Sequence, residues 1–187
     1  MSAQGAPEGE GAGAASGRLE KTIALVGMMG VGKSTVGRKL AESLSAAFLD
    51  SDEEIEKAAG LSVQEIFERH GEPEFRRGER RVIERLVNGP PIVLATGGGA
   101  YIDPDTRALL KEKATTIWLR VDLDVIWKRV SRRDTRPLLK RDNPKQVLAD
   151  LAAARAPVYA EADIVVESGE APASEAVKKI REALGLA

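Results

Sequence analysis

The chain has 187 residues, of which 43% are hydrophobic and 30% charged, and its formal net charge is -1. That length suits one compact domain, able to bury roughly 70% of its unfolded surface without disulfide or metal staples. The absence of cysteine excludes a disulfide framework, an iron–sulfur cluster and thiol catalysis, and a lone histidine, His70, excludes an ordinary zinc site. Near-neutral charge argues against a general nucleic-acid or membrane-surface binder, and frequent charges argue against a membrane span, which points to a soluble cytoplasmic domain.

Residues 1–17 hold five Gly and five Ala but no Leu, Ile or Val. Such a segment buries too little apolar surface to offset its ordering entropy, so a disordered tail is expected there. It has neither the apolar core of a secretory signal nor the arginines of a transit peptide. The folded domain is expected over 18–187. Within it, short β-branched runs at Thr22–Val26, Ala47–Leu49, Pro91–Ala95, Thr115–Val121 and Asp163–Val166 alternate with helical patterns. Val36, Leu40 and Leu44 mark one helix. Ser62-Val63-Gln64-Glu65 reads as a capping box, and Glu74–Val87 carries the stripe Val82, Ile83, Leu86, Val87. Asp103–Lys113, Asp122–Ser131 and Ser174–Leu184 complete the set. Strands alternating with helices predict an α/β fold, a three-layer sandwich around a parallel five-stranded sheet with its ligands at the carboxyl ends of the strands.

Gly27-Met28-Met29-Gly30-Val31-Gly32-Lys33-Ser34 fits G-x-x-x-x-G-K-[ST], between a strand and a helix. Its glycines let backbone N–H groups turn around a phosphate chain, with Lys33 reaching the β- and γ-phosphates and Ser34 binding Mg²⁺. The nucleotide-binding set is Gly30, Val31, Gly32, Lys33, Ser34 and Thr35. The chain has no D-x-x-G followed by N-K-x-D, so ATP is favoured over GTP.

The second strand ends in Phe48-Leu49-Asp50-Ser51-Asp52. One carboxylate can hold Mg²⁺ and the other can take a proton from an alcohol, unless Asp50 or Ser51 merely caps the next helix. Along Glu74–Arg81, Arg76, Glu79 and Arg80 share a helix face, so Glu79 can orient Arg76, whereas Arg77 and Arg81 read as solvated. Gly78 inside that helix hints at a bend or a close contact. Gly97-Gly98-Gly99 at the end of the third strand lets backbone approach a ligand. The basic stretch Trp127–Leu139 reads as a mobile lid carrying an arginine to a phosphoryl group. Arg155, alone in an Ala-rich helix, would by itself read as a surface residue.

Taken together, G-M-M-G-V-G-K-S-T, F-L-D-S-D, E-F-R-R-G-E, T-G-G-G, R-P-L-L and A-R-A-P-V-Y, in this order, resemble the shikimate kinases. These are small P-loop enzymes related to nucleoside-monophosphate kinases, and the resemblance runs from about Lys21 to the C-terminus. It implies transfer of the γ-phosphoryl group of MgATP to the 3-hydroxyl of shikimate, giving 3-phosphoshikimate and ADP. It further implies that Asp52 reads the acceptor hydroxyl and serves as base, with Lys33 and Arg136 sharing the catalytic work. Ser34 and Asp50 would attend the metal. Arg76 and Arg155 would clamp the shikimate carboxylate, with Glu79 holding Arg76 and Gly97, Gly98 and Gly99 lining the acceptor. Arg136 would reach the ATP phosphates from the lid, and Arg129 would lie against adenine, near a loosely matching loop at Ser168–Pro172. The rival readings are another small-metabolite kinase, such as a gluconate kinase, and a non-catalytic ATP-binding module. The partners expected are ATP and shikimate alone, on a monomer.

Overall fold

The computed structural model describes residues 19–133 and 140–186. The expected tail and the Asp134–Leu139 part of the lid, Arg136 included, lie outside the described residues.

Five parallel strands form one sheet: β1 (Thr22–Val26), β2 (Phe48–Asp50), β3 (Val93–Ala95), β4 (Ala114–Arg120) and β5 (Ile164–Glu167), in the order β2-β3-β1-β4-β5. The central strand β1 is buried along its whole length, as a β-branched run covered on both faces should be. Register sets the level of the site. Asp50 of β2 lies opposite Ala95 of β3, and Ala95 lies opposite Leu25 of β1, so three chains leave the sheet at one height.

Helices flank the sheet: α1 (Lys33–Ser43), α2 (Ser51–Ala59), α3 (Val63–Val87), α4 (Pro104–Lys113), α5 (Leu123–Val130), α6 (Pro144–Tyr159) and α7 (Ala173–Ala183). The result is the three-layer sandwich expected from the alternation of strands and helices. In α1, Val36, Leu40 and Ala41 are buried, and Gly37 lies so close to Phe48 that a Cβ there would overlap the ring. The capping box at the start of α3 is complete: Ser62 Oγ accepts from the Glu65 N–H at 3.1 Å, and Glu65 Oε2 accepts from the Ser62 N–H at 2.8 Å.

The expected Ser62-capped helix and the Glu74–Val87 helix are the two segments of α3, joined across a break at Gly71 (φ 79, ψ 170) just before Pro73. Pro73 has no N–H to continue the ladder, and Gly71 tolerates the positive φ. The bend anticipated at Gly78 is therefore displaced to Gly71, and a Cβ at Gly78 would meet nothing within 4 Å. No helix among the described residues is long and apolar enough to cross a membrane.

Candidate active site

The phosphate loop leaves β1 and returns into α1 at Gly32, whose φ of 93 places it in the left-handed region at the helix N-cap. The N-terminus of an eleven-residue helix thus faces the loop's concavity, where exposed N–H groups favour an anion. Lys33 is nearly buried, and its Nζ donates to the carbonyls of Gly27 at 2.7 Å and Met28 at 2.8 Å, across its own loop. Arg129 of α5 closes the other side, donating to Gly30 O and Val31 O at 3.2 Å each and to Gly169 O beyond β5. A cavity of about 480 Å³ opens between these groups, reaching Ser34, Thr35, Arg133 and the Ser168–Gly169 turn.

Asp50 caps the helix, as one reading of the sequence allowed, and also reaches the phosphate loop. As N-cap of α2 its Oδ1 accepts from the Asp52 N–H at 2.9 Å, while its Oδ2 accepts from Ser34 Oγ at 2.6 Å. One carboxylate therefore starts α2 and ties β2 to the phosphate loop. Ser51, fully buried between the two aspartates, accepts from the Gly97 N–H at 3.0 Å and so anchors the triple-glycine loop. The sequence offered Ser51 only as a possible helix cap, a place Asp50 takes; a hydroxyl at a wholly buried position needs a partner, and Gly97 is that partner.

The second segment of α3 supplies Arg76 and Glu79. Arg76 Nη1 donates to Glu79 Oε1 at 2.7 Å and Nη2 to Glu72 Oε1 at 3.3 Å. Glu79 is buried, and its Oε2 has no hydrogen-bond partner among the described residues. Burial holds the Glu79 carboxyl above the usual carboxylate range even though Arg76 opposes the shift. Asp52 is likewise raised, first by burial and then by the charge of Asp50, with Lys33 pulling the other way.

The glycines explain how these groups come so close. A Cβ on Gly97 would sit 2.8 Å from Asp52 Oδ1 and 3.1 Å from Glu79 Oε2, and one on Gly99 would fall inside the Arg76 guanidinium. Only residues without side chains let two carboxyls and a guanidinium crowd one loop. Arg155, from α6, donates through Nη1 to Gly98 O at 3.3 Å, so it belongs to this cluster and not to the surface. Arg80 and Arg77 do not join it: they pair with Asp105 and Glu74.

A cleft of about 1030 Å³ runs between α3 and α6, with Arg76, Glu79 and Arg155 on its polar side and Phe67 and Phe75 on its apolar side. This cleft and the phosphate-loop cavity share Met29, Asp52, Gly97 and Gly98. Two chambers, one built for phosphates and one lined by cations and carboxylates, therefore meet at a raised-pKa aspartate.

The family model for shikimate kinase matches residues 29–185. The chain belongs to the shikimate kinase family. A shikimate kinase of Caulobacter vibrioides is 56% identical over 164 residues, covering 88% of this chain and 82% of its own. One of Paramagnetospirillum magneticum is 53% identical over 169 residues, covering 90% and 87%. Among solved structures, shikimate kinase from Acinetobacter baumannii in complex with shikimate superposes with a TM-score of 0.84 at 41% identity, covering 88% of this chain and 93% of that one. A gluconokinase from Sinorhizobium meliloti, at 16% identity and a TM-score of 0.56, shares the fold alone, over 90% of this chain and 97% of its own.

Proposed function

We infer that the chain is an ATP-dependent kinase that transfers the γ-phosphoryl group of ATP to the 3-hydroxyl of shikimate, giving 3-phosphoshikimate and ADP in the biosynthesis of aromatic amino acids. The observation that carries this reading is the junction at Met29, Asp52, Gly97 and Gly98, where a phosphate-binding cavity opens into a cleft bearing two arginines. A small acceptor with one carboxylate and several hydroxyls suits that cleft, with charge-assisted bonds from Arg76 and Arg155 and the ring against Phe67 and Phe75.

In this reading Lys33 leaves the Gly27 and Met28 carbonyls for the β- and γ-phosphates. Arg76 and Arg155 hold the acceptor carboxylate, which turns its hydroxyl toward Asp52. The hydroxyl oxygen attacks the γ-phosphorus, its proton passes to the Asp52 carboxylate, and the bond from phosphorus to the bridging oxygen breaks to release ADP. Burial suits Asp52 to this step, because a raised pKa makes it a better proton acceptor than an exposed aspartate. Arg129 and the N–H groups of Gly30, Val31 and Gly32 orient the nucleotide, alongside Ser34 and Thr35. Arg136 is assigned to the transferring phosphoryl group from the lid, on the strength of its place in the R-P-L-L motif.

The donor set suits Mg²⁺: Ser34 Oγ and Asp50 Oδ2 are two hard oxygens 2.6 Å apart at the phosphate loop. Among the described residues no three His, Cys, Asp or Glu could cage a metal, and Mg²⁺ takes few protein ligands beside phosphate oxygens and water. Bound there, it would neutralise charge on the phosphates. The kinase domain of this reading is residues 18–187, placed in the cytoplasm where ATP is supplied. Its proposed working form is a monomer.

The test is ADP release from MgATP with shikimate, gluconate, AMP or no acceptor. Release with shikimate alone is expected. Release with another acceptor would overturn the carboxylate clamp, and none with any acceptor, in a chain that binds ATP, would leave only a nucleotide-binding module.

A further inference from the structure

Tyr159 is the last residue of α6 and one of the largest fully buried side chains, at 1% exposure. Its ring lies against Trp118 of β4, with centroids 5.8 Å apart and planes tilted by 30°. A phenylalanine would fill that space equally well, so the packing does not account for the hydroxyl. The hydroxyl donates to Gly98 O and lies 3.9 Å from Met28 Sδ in the phosphate loop. Burial raises its pKa, so the phenol stays protonated and the O–H remains a donor.

Arg155 sits one helical turn before Tyr159, on the same face of α6, and donates to the same carbonyl at 3.3 Å. A carbonyl oxygen has two lone pairs, and here α6 occupies both. The Gly98–Gly99 peptide is thereby fixed, because a trans peptide that points its C=O toward α6 turns its N–H away. In a run of three glycines, where the backbone has little preference of its own, two side-chain donors do the work of φ/ψ restriction.

We propose that Tyr159 is a positioning residue for the acceptor: its hydroxyl fixes Gly98 and, by sharing that carbonyl with Arg155, sets where the rest of the Arg155 guanidinium points. This rests on the proposed function above, in which Arg155 and the glycine loop receive shikimate. Without the hydroxyl, Arg155 alone restrains Gly98, and the acceptor meets a loop and a clamp that are both less ordered. The phosphate loop keeps its Lys33 and Arg129 contacts, so the effect falls on the acceptor and spares the nucleotide.

The test is Tyr159→Phe, which keeps the ring on Trp118 and removes one oxygen. Steady-state kinetics for both substrates, calorimetric titration with shikimate and thermal unfolding are compared with the unchanged chain. The KM and Kd for shikimate are expected to rise about three- to tenfold, as for one lost hydrogen bond. The KM for ATP stays within about twofold and Tm moves little. Unchanged shikimate affinity overturns the proposal. So does a joint rise of both KM values with a lowered Tm, which would mark a packing role. If the unchanged chain gives no shikimate-dependent ADP release, the functional reading fails and this one with it. If it does, and Tyr159→Phe matches it, only the positioning role is refuted.

Discussion

The guanidinium of Arg76 occupies the space that a side chain on Gly99 would need, with Cζ only 2.8 Å from the position of a Cβ there. The third strand's loop and the second segment of α3 are thus fitted to each other at a single residue lacking a side chain. Gly99→Ala is expected to push Arg76 off the acceptor and raise the KM for shikimate about 10- to 150-fold, the worth of one charge-assisted hydrogen bond. The KM for ATP should hold. A shikimate KM unaltered by the added methyl would dissociate Arg76 from the acceptor.

Burial and Asp50 raise the Asp52 carboxyl above its ordinary value of 3.8, so its ionised form is lost at a higher pH than for an exposed aspartate. Since proton acceptance needs the carboxylate, kcat/KM for shikimate should fall as pH drops through that raised value, and the acid limb should lie above 3.8. Asp52→Asn should remove this limb and lower kcat by about 10²-fold or more. A profile of the same shape in both proteins would assign the proton elsewhere, first to Glu79, whose carboxyl is also held up by burial.

Ser34 and Asp50 are coupled through a 2.6 Å hydrogen bond, so the proposed Mg²⁺ site depends on both. Ser34→Ala should raise the half-saturating Mg²⁺ concentration about tenfold, in the range found for altered metal surroundings. The readout is an activation curve at fixed ATP. An unshifted curve would place the metal elsewhere.

Lys33 lies within the phosphate loop, donating to the carbonyls of Gly27 and Met28. Lys33→Met should cost about 10²- to 10³-fold in kcat, as for removal of one preorganised charge stabiliser. Single-turnover rates at saturating ATP and shikimate would measure it, and a loss below tenfold would contradict its role at the transferring group.

The capping box offers a prediction about stability. Ser62→Ala leaves the Glu65 N–H without its acceptor and should cost about 1 kcal/mol. Tm should fall about 2–4 °C in thermal unfolding. No change would mean that Glu65 alone caps the helix.

What could be read from the residues follows from the range of the physics involved. The strands were legible because the interior of the sheet demands apolar, β-branched runs, although the ends of every strand but β1 moved by one or two residues. β3 begins at Val93 and not at Pro91: Pro91 has no N–H, and the N–H of Ile92 goes to Thr22 Oγ1 at 3.2 Å. The phosphate loop was legible for the same reason, since its chemistry sits within eight consecutive residues. The acceptor side was not. Arg155 reads as solvated until α6 is brought against Gly98, and nothing near Gly97 announces that Asp52 and Glu79 converge on it. The contacts of Ser51, read only as a possible helix cap, and of Tyr159 were missed because their partners, Gly97 and Gly98, lie 46 and 61 residues away.

The shared register of Asp50, Ala95 and Leu25 sets the scale of the whole device. The phosphate loop, the segment bearing the proposed base and the glycine loop follow three adjacent strands, and neighbouring strands are held about 4.8 Å apart by backbone hydrogen bonds. The spacing of the three points where these loops leave the sheet is therefore ruled by main-chain geometry common to every parallel sheet, and side chains decide which molecules stand on either bank. Substitutions along the two cavities should retune affinity, whereas the spacing of those three anchor points is as rigid as the sheet itself.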